Sequence, residues 1–300
     1  MARQVIVGAG PTGSATARFL ADEGDEVRLV ARRAGACPHP DVERLALDAT
    51  HVDALTAASE GATTIFMCAM PAYDRWPAEF PPISDAVMAA AERSGARVAI
   101  VSNVYPYGEG APSPLTESLP LTPTTVKGRV RAEMWRRARA SRVKVTEVRG
   151  SDYLGHGAGS VFTLLAAPRL RAGEAASMPA DLDAPHAWTF TEDVARTLVA
   201  AARSEASWGR AFHVPSRHAS VREVATLLCE LAGAPPPTLT RMSREELEAL
   251  GRADSIMREI VEMAYLFERP LVLDSSETER ILGVRATSLD AMLRDTLRAS

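Results

Sequence analysis

Short β-branched runs alternate with longer Ala- and Leu-rich amphipathic stretches through the first 150 residues. Val5–Val7, Val27–Val30, Thr64–Met67, Val98–Val101 and Val143–Val148 read as strands, and Val5–Val7, Thr64–Met67 and Val98–Val101 are apolar nearly throughout, as in strands buried on both faces. Pro11–Glu23, His51–Ser59, Ile83–Ser94 and Lys127–Ala140 read as the helices between them. This βαβ alternation predicts an α/β fold built on a parallel sheet with helices on both sides. The second half is less regular. Helices are expected at Thr191–Arg203, Val221–Ala232, Arg244–Leu250 and Ile256–Leu266, with a short strand at Ala211–Val214. Glu109–Pro123, Gly150–Gly159 and Pro235-Pro236-Pro237 break the pattern, and no internal repeat is present.

The first strand runs directly into Gly8-Ala9-Gly10-Pro11-Thr12-Gly13, which opens the first helix. In that context GxGxxG is the Rossmann dinucleotide fingerprint. The first Gly makes the tight turn, the second admits a pyrophosphate, and the third lets helix and strand pack closely. The helix N-terminus then offers free N–H groups and a partial positive charge to the phosphates. Pro11 and Thr12 complete the loop. A site that prefers NAD places Asp or Glu at the end of the second strand, on the ribose 2′-OH. Here that place falls on Ala31, followed by Arg32 and Arg33. Two guanidinium groups suit a 2′-phosphate, so NADP is the expected cofactor, with NAD as the alternative.

Further motifs resemble the extended short-chain dehydrogenase/reductases, the group containing the NAD-dependent epimerases and dehydratases. Asp48 resembles their adenine-contacting Asp, and Ala69 in Met67-Cys68-Ala69 the residue beside the adenosine ribose. Val101-Ser102-Asn103-Val104-Tyr105-Pro106-Tyr107-Gly108 resembles the strand that carries their catalytic Ser or Thr. Thr116-Glu117, Arg149–Gly155 and Phe190–Ala195 match later segments in the right order. The resemblance implies a Rossmann-type doubly wound parallel sheet with a smaller, mostly C-terminal substrate lobe. Residues 1–150 would form the dinucleotide domain, with 186–215 returning to it, and 151–185 and 216–300 the lobe.

The family's proton-transferring Tyr-x-x-x-Lys pair is missing. None of Tyr73, Tyr105, Tyr107, Tyr153 and Tyr265 has Lys four residues later. Aligning Glu133 with the family's helix Glu puts Thr125 at the Tyr position, Arg129 at the Lys position and Asn103 at the Ser/Thr position. The chain therefore resembles the atypical branch that keeps the cofactor loop and loses the active-site pair. Strand alternation would turn Tyr105 to the same face as Asn103. A phenol has a pKa near 10, so Lys127 or Arg129 would have to lower it for acid–base work. Asn103 would donate to a substrate carbonyl oxygen. Asp152, Tyr153 and His156 form a second polar group at the cleft edge; Tyr73, Arg75, Trp76 and His186 are further candidates for its walls.

Composition narrows the function classes. With 46% hydrophobic and 24% charged residues, net charge −4, pI about 5.9 and no basic tract, the chain is not built to follow nucleic acid. No apolar run reaches the roughly 18–20 residues of a membrane helix. The N-terminus has no signal-peptide pattern, and Cys37, Cys68 and Cys229 are widely spaced, so a cytoplasmic protein is expected. His spacing gives no metal site. The expected partners are a small-molecule substrate and a second copy, joined through Ile83–Ser94 and Lys127–Ala140. Three functions fit: an NADP-dependent oxidoreductase or epimerase/dehydratase acting on a small polar or cyclic metabolite, a non-redox dinucleotide sensor, or an isomerase or cyclase that uses the pocket without hydride transfer.

Overall fold

The computed structural model describes residues 2–33 and 38–298, so Cys37 lies outside the described residues. The first half runs β1 (Arg3–Val7), α1 (Pro11–Asp22), β2 (Glu26–Ala31), β3 (Val42–Ala46), α2 (Val52–Ala58), β4 (Ala62–Met67), α3 (Trp76–Ser94), β5 (Arg97–Asn103), α4 (Val126–Ala140) and β6 (Val145–Gly150). There follow β7 (Asp152–Leu154), α5 (Val161–Leu165), α6 (Ala167–Arg171), β8 (Ala176–Met178), β9 (His186–Phe190), α7 (Thr191–Arg203), β10 (Ala211–His213) and β11 (Arg217–Ala219). The chain ends with α8 (Val221–Ala232), β12 (Leu239–Arg241), α9 (Arg244–Ala253), α10 (Ser255–Met263), α11 (Ser276–Leu282) and α12 (Leu289–Arg298).

Seven parallel strands stand in the order β10-β6-β5-β4-β1-β2-β3. Side-chain alternation explains why both faces need cover. Val5, Val7, Ile65, Met67, Val98 and Ile100 pack on one face against Leu55 of α2, Val87 of α3 and Trp135 of α4. Ile6, Leu29, Phe66, Ala99 and Val101 pack on the other against Leu20 of α1 and Leu198 of α7. The strand order reverses between β1 and β4. The carboxyl ends of the strands at that switch point frame the ligand crevice of a doubly wound sheet. Among the described residues no helix is long and apolar enough to cross a membrane.

Several elements differ from the sequence expectation for physical reasons. β3 has no apolar run because it is the sheet's edge, where Glu43 is exposed and Arg44 half-buried. α3 begins at Trp76 rather than Ile83, although Pro81 and Pro82 lie inside it. Trp76 and Phe80, one turn apart, are both buried and hold the first turns in helical geometry where proline alone would break them. β6 starts two residues later than expected. β5 ends at Asn103, and Tyr105 begins a 3-10 turn, so strand alternation does not govern its direction.

The smaller lobe holds a sheet β11-β9-β7 and the parallel pair β12-β8, over a core including Phe162, Trp188, Leu228 and Met292. The chain's return to the large sheet begins with α7, which packs on α1, and continues with β10; His186–Phe190 stays with the lobe as β9. α11 also sits against α7 and β10 on the Rossmann side.

A buried polar chain joins the two regions. Arg149 Nε donates to Glu147 Oε1 at 2.6 Å, and its Nη1 to the Tyr107 hydroxyl at 2.8 Å. His213 Nδ1 donates to the Asp274 carbonyl at 2.8 Å, which leaves Nε2 to accept the Tyr107 O–H at 2.7 Å. Burial, helped by the nearby Arg149 charge, lowers His213 to a pKa of about 4 and keeps the ring neutral. The unfolded chain, with an ordinary His near 6.5, binds a proton that the folded chain refuses. This stability is complete above about pH 6.5 and falls as pH drops toward 4. The loss of unfolding free energy between pH 7.5 and 4.5, measured by urea titration, is therefore expected to be about 2 kcal/mol smaller in His213→Gln than in the unmodified protein.

Candidate functional site

The crevice begins where β1 ends. The chain turns through Gly8 at φ +110° and enters α1 at Pro11, a position that needs no N–H. A Cβ on Gly8 would stand 2.5 Å from the Ala69 nitrogen, and one on Gly13 only 1.9 Å from the Gly8 oxygen. Close packing therefore requires both glycines. Gly10 differs: at φ −73° a Cβ there meets nothing within 4 Å. It faces open space at the N-terminus of α1, which no side chain caps. Backbone N–H groups and the helix dipole make that space suitable for a phosphate. From it a groove of about 560 Å³ runs past Ala69 to Ala31, Arg32, Arg33, Arg44 and Asp48. Arg32 and Arg33 are exposed just beyond β2. Asp48 Oδ1 accepts the backbone N–H of Thr50 at 3.0 Å and its hydroxyl at 2.8 Å, and these bonds hold the carboxyl below its usual range.

At Gly10, Cys68 and Met70 the groove meets a cavity of about 390 Å³ that reaches under α10. Asn103, Tyr105, Asp152 and Tyr153 line it, as do Pro11 and Thr12 from the loop. Asn103 Oδ1 accepts the Tyr105 backbone N–H at 3.2 Å, so the amide NH2 is left for a ligand. The Tyr105 hydroxyl is hydrogen-bonded to that of Tyr73 at 3.1 Å, and its ring stacks on Trp76. Asp152 Oδ2 lies 2.5 Å from His186 Nε2, and the buried imidazole stacks on Phe267. Burial pushes the Cys68 thiol up to about 12 and leaves it protonated.

The two cations expected to tune Tyr105 are placed otherwise. Lys127 is buried and ion-paired with Glu259 and with Glu262 (3.0 Å) of α10; its ammonium lies 4.7 Å from the Tyr73 ring centre. Arg129 points outward and donates to the Thr124 carbonyl. Thr125, at the position aligned with the family Tyr, is the N-cap of α4 and accepts from the Gly128 N–H. The inward face of α4 carries Lys127 and, one turn on, Arg131, which no sequence motif marks. Arg131 donates to the Val101 carbonyl at 3.0 Å and lies over Trp76 and Phe80, and burial lowers it to about 10.

The sequence profile of the NAD dependent epimerase/dehydratase family matches residues 5–214 of the 300, from β1 through β10. The chain belongs to this family. No curated protein matches it. Solved structures of similar fold include the UDP-glucose 4-epimerase of Thermotoga maritima with UDP-glucose, 17% identical with TM-score 0.78, aligned over 99% of this chain and 98% of that one. The WbmH enzyme of Bordetella bronchiseptica in complex with NAD+ is also 17% identical, with TM-score 0.77 over 100% and 98%. An epimerase of Methanothermobacter thermautotrophicus, at 17% identity, has TM-score 0.81 over 99% and 91%.

The epimerase/dehydratase glycine loop separates steric need from ligand space, and substitutions can test that separation. Gly13→Ala is expected to lower the melting temperature by several degrees because the backbone must shift. Gly10→Ala is expected to leave melting unchanged and weaken dinucleotide binding at least tenfold, as read by fluorescence titration.

Proposed function

We propose that the chain is an NADP(H)-dependent enzyme of the oxidoreductase or epimerase/dehydratase kind, acting on a small polar or cyclic metabolite. The observation that carries this reading is the continuity of the groove. An open glycine loop leads directly to a cavity where an amide NH2 and a carboxylate face the same space. Gly8, Gly10 and Gly13 would bring the loop against the pyrophosphate, with Asp48 and Ala69 beside the adenosine. When bound, the dinucleotide supplies a hydride donor or acceptor.

The protein's own residues do the rest. Asn103 donates a hydrogen bond to the substrate oxygen, and Asp152 takes or gives the proton, held in place by His186. Tyr105 does not serve as the base. Burial, reinforced by the Asp152 charge, raises its phenol far above the ordinary value, and Lys127 is bound to α10 instead. The phenol stays protonated near neutrality and serves as a hydrogen-bonding hydroxyl. The missing Tyr-x-x-x-Lys pair supports a second reading, a dinucleotide-binding sensor that turns over no substrate. A homodimer across α3 and α4 belongs to the proposal as well; the outer face of α4 carries Arg129, Glu133 and Arg136, so its seam would be polar.

NADPH absorbance after addition of the protein to a carbonyl panel decides between enzyme and sensor, since a sensor binds the cofactor and leaves absorbance unchanged. NADPH is expected to bind at least tenfold more tightly than NADH. Arg32→Ala with Arg33→Ala should remove that preference; equal affinities in the unmodified protein would refute it. On the substrate found, Asp152→Asn should reduce turnover by about 10², the scale of an acid–base group, while Tyr105→Phe should cost less than tenfold.

A further inference from the structure

The cavity's substrate chemistry can be narrowed from two independent features, its charge and its exposed apolar surface. Among the described residues that line it, Asp152 is the single Asp, Glu, Lys or Arg. The remaining lining side chains are apolar, aromatic or neutral polar. The cations of α4 do not line it: Lys127 is taken by Glu259 and Glu262, and Arg131 by the Val101 carbonyl and the Trp76 and Phe80 rings. Away from the α1 N-terminus at Gly10–Thr12, a diphosphate in this space would give up its hydration beside a carboxylate, with no guanidinium or ammonium in the wall to replace it. In a low-dielectric site that loss is severe.

The second feature is surface. Among the described residues four large hydrophobic side chains are exposed, and two of them, Met70 at 50% and Leu164 at 52%, stand on this cavity. Exposed apolar groups gathered around a concavity mark a place where an apolar ligand completes the surface. Ile256, Ile260 and Met263 of α10 add an apolar roof to the same cavity.

From these features we infer that the cavity takes a neutral, mainly apolar ring compound bearing one hydroxyl or carbonyl oxygen, and not a nucleoside-diphosphate sugar. The inference rests on the proposed reading of this cavity as the substrate end of a dinucleotide groove. The ring lies between Trp76 and the α10 roof, and its oxygen meets the Asn103 amide and the Asp152 carboxyl.

The test uses the full chain, with and without saturating NADPH, titrated with cyclohexanone, camphor, α-tetralone and UDP-glucose by calorimetry and tryptophan fluorescence. At least one ketone is expected to bind tenfold or more tightly than UDP-glucose. Leu164→Arg and Ile256→Arg, at the rim and the half-buried roof, are expected to weaken that ketone about tenfold while the melting temperature holds. Tighter binding of UDP-glucose than of every ketone, binding of no ketone, or a ketone affinity indifferent to both substitutions would each overturn the inference. NADPH titration of the same protein judges the dinucleotide reading separately: its failure sinks that reading, while ketone binding to the cofactor-free chain still decides the substrate class.

Discussion

A buried ammonium ties the lobe to the Rossmann half. Lys127 is almost fully enclosed, and a lone charge at that depth would be very costly without partners. Its partners, Glu259 and Glu262, come from α10, more than a hundred residues further along the chain. Glu262 also accepts the Val126 backbone N–H, an otherwise unpaired donor in the first turn of α4. One carboxylate thus satisfies a side chain and a helix terminus together. With α10 fixed in this way, Ile256, Ile260 and Met263 fall over the sheet's carboxyl edge, and the space beneath them becomes a cavity rather than an open crevice. Tyr73, under the same ammonium, is carried along, and through it the Tyr105 hydroxyl.

The Rossmann half was legible because its physics is local and repetitive. Val5–Val7 and Val98–Val101 are apolar on both faces, so period and composition agree, and Gly8–Gly13 leaves few alternatives for a strand-to-helix turn. Legibility failed where long-range contact overrode local preference. The helix expected from Ile83 in fact starts at Trp76 and runs through Pro81 and Pro82, because Trp76 and Phe80 are anchored from the sheet side. β3 escaped notice because an edge strand needs no apolar run.

The site divides along the same line. Gly8, Gly10, Arg32, Arg33, Asp48 and Ala69 do line one groove, because each follows a strand end at fixed spacing. In the adjoining cavity, Asn103 and Tyr105 do line one space, but Tyr105 arrives through a 3-10 turn rather than by strand alternation. The pairing of Asp152 with His186 joins the ends of β7 and β9, and no spacing rule brings such residues together. A small signal existed for Asp152, a carboxylate two residues beyond the last residue of a central strand. Nothing comparable marked Arg131, whose inward direction depends on the register of α4 and not on its charge.

The loop after β7 gives the far end of the chain a stake in its beginning. Gly157 packs against Pro11, so residues 155–159 lie over the glycine turn. That loop is held in turn by α12: the Gly155 N–H donates to Thr296 Oγ1 and the His156 N–H to Asp295 Oδ2, both at 2.8 Å. Displacement of α12 would therefore loosen the loop that rests on Pro11, which links the last described helix to the first turn.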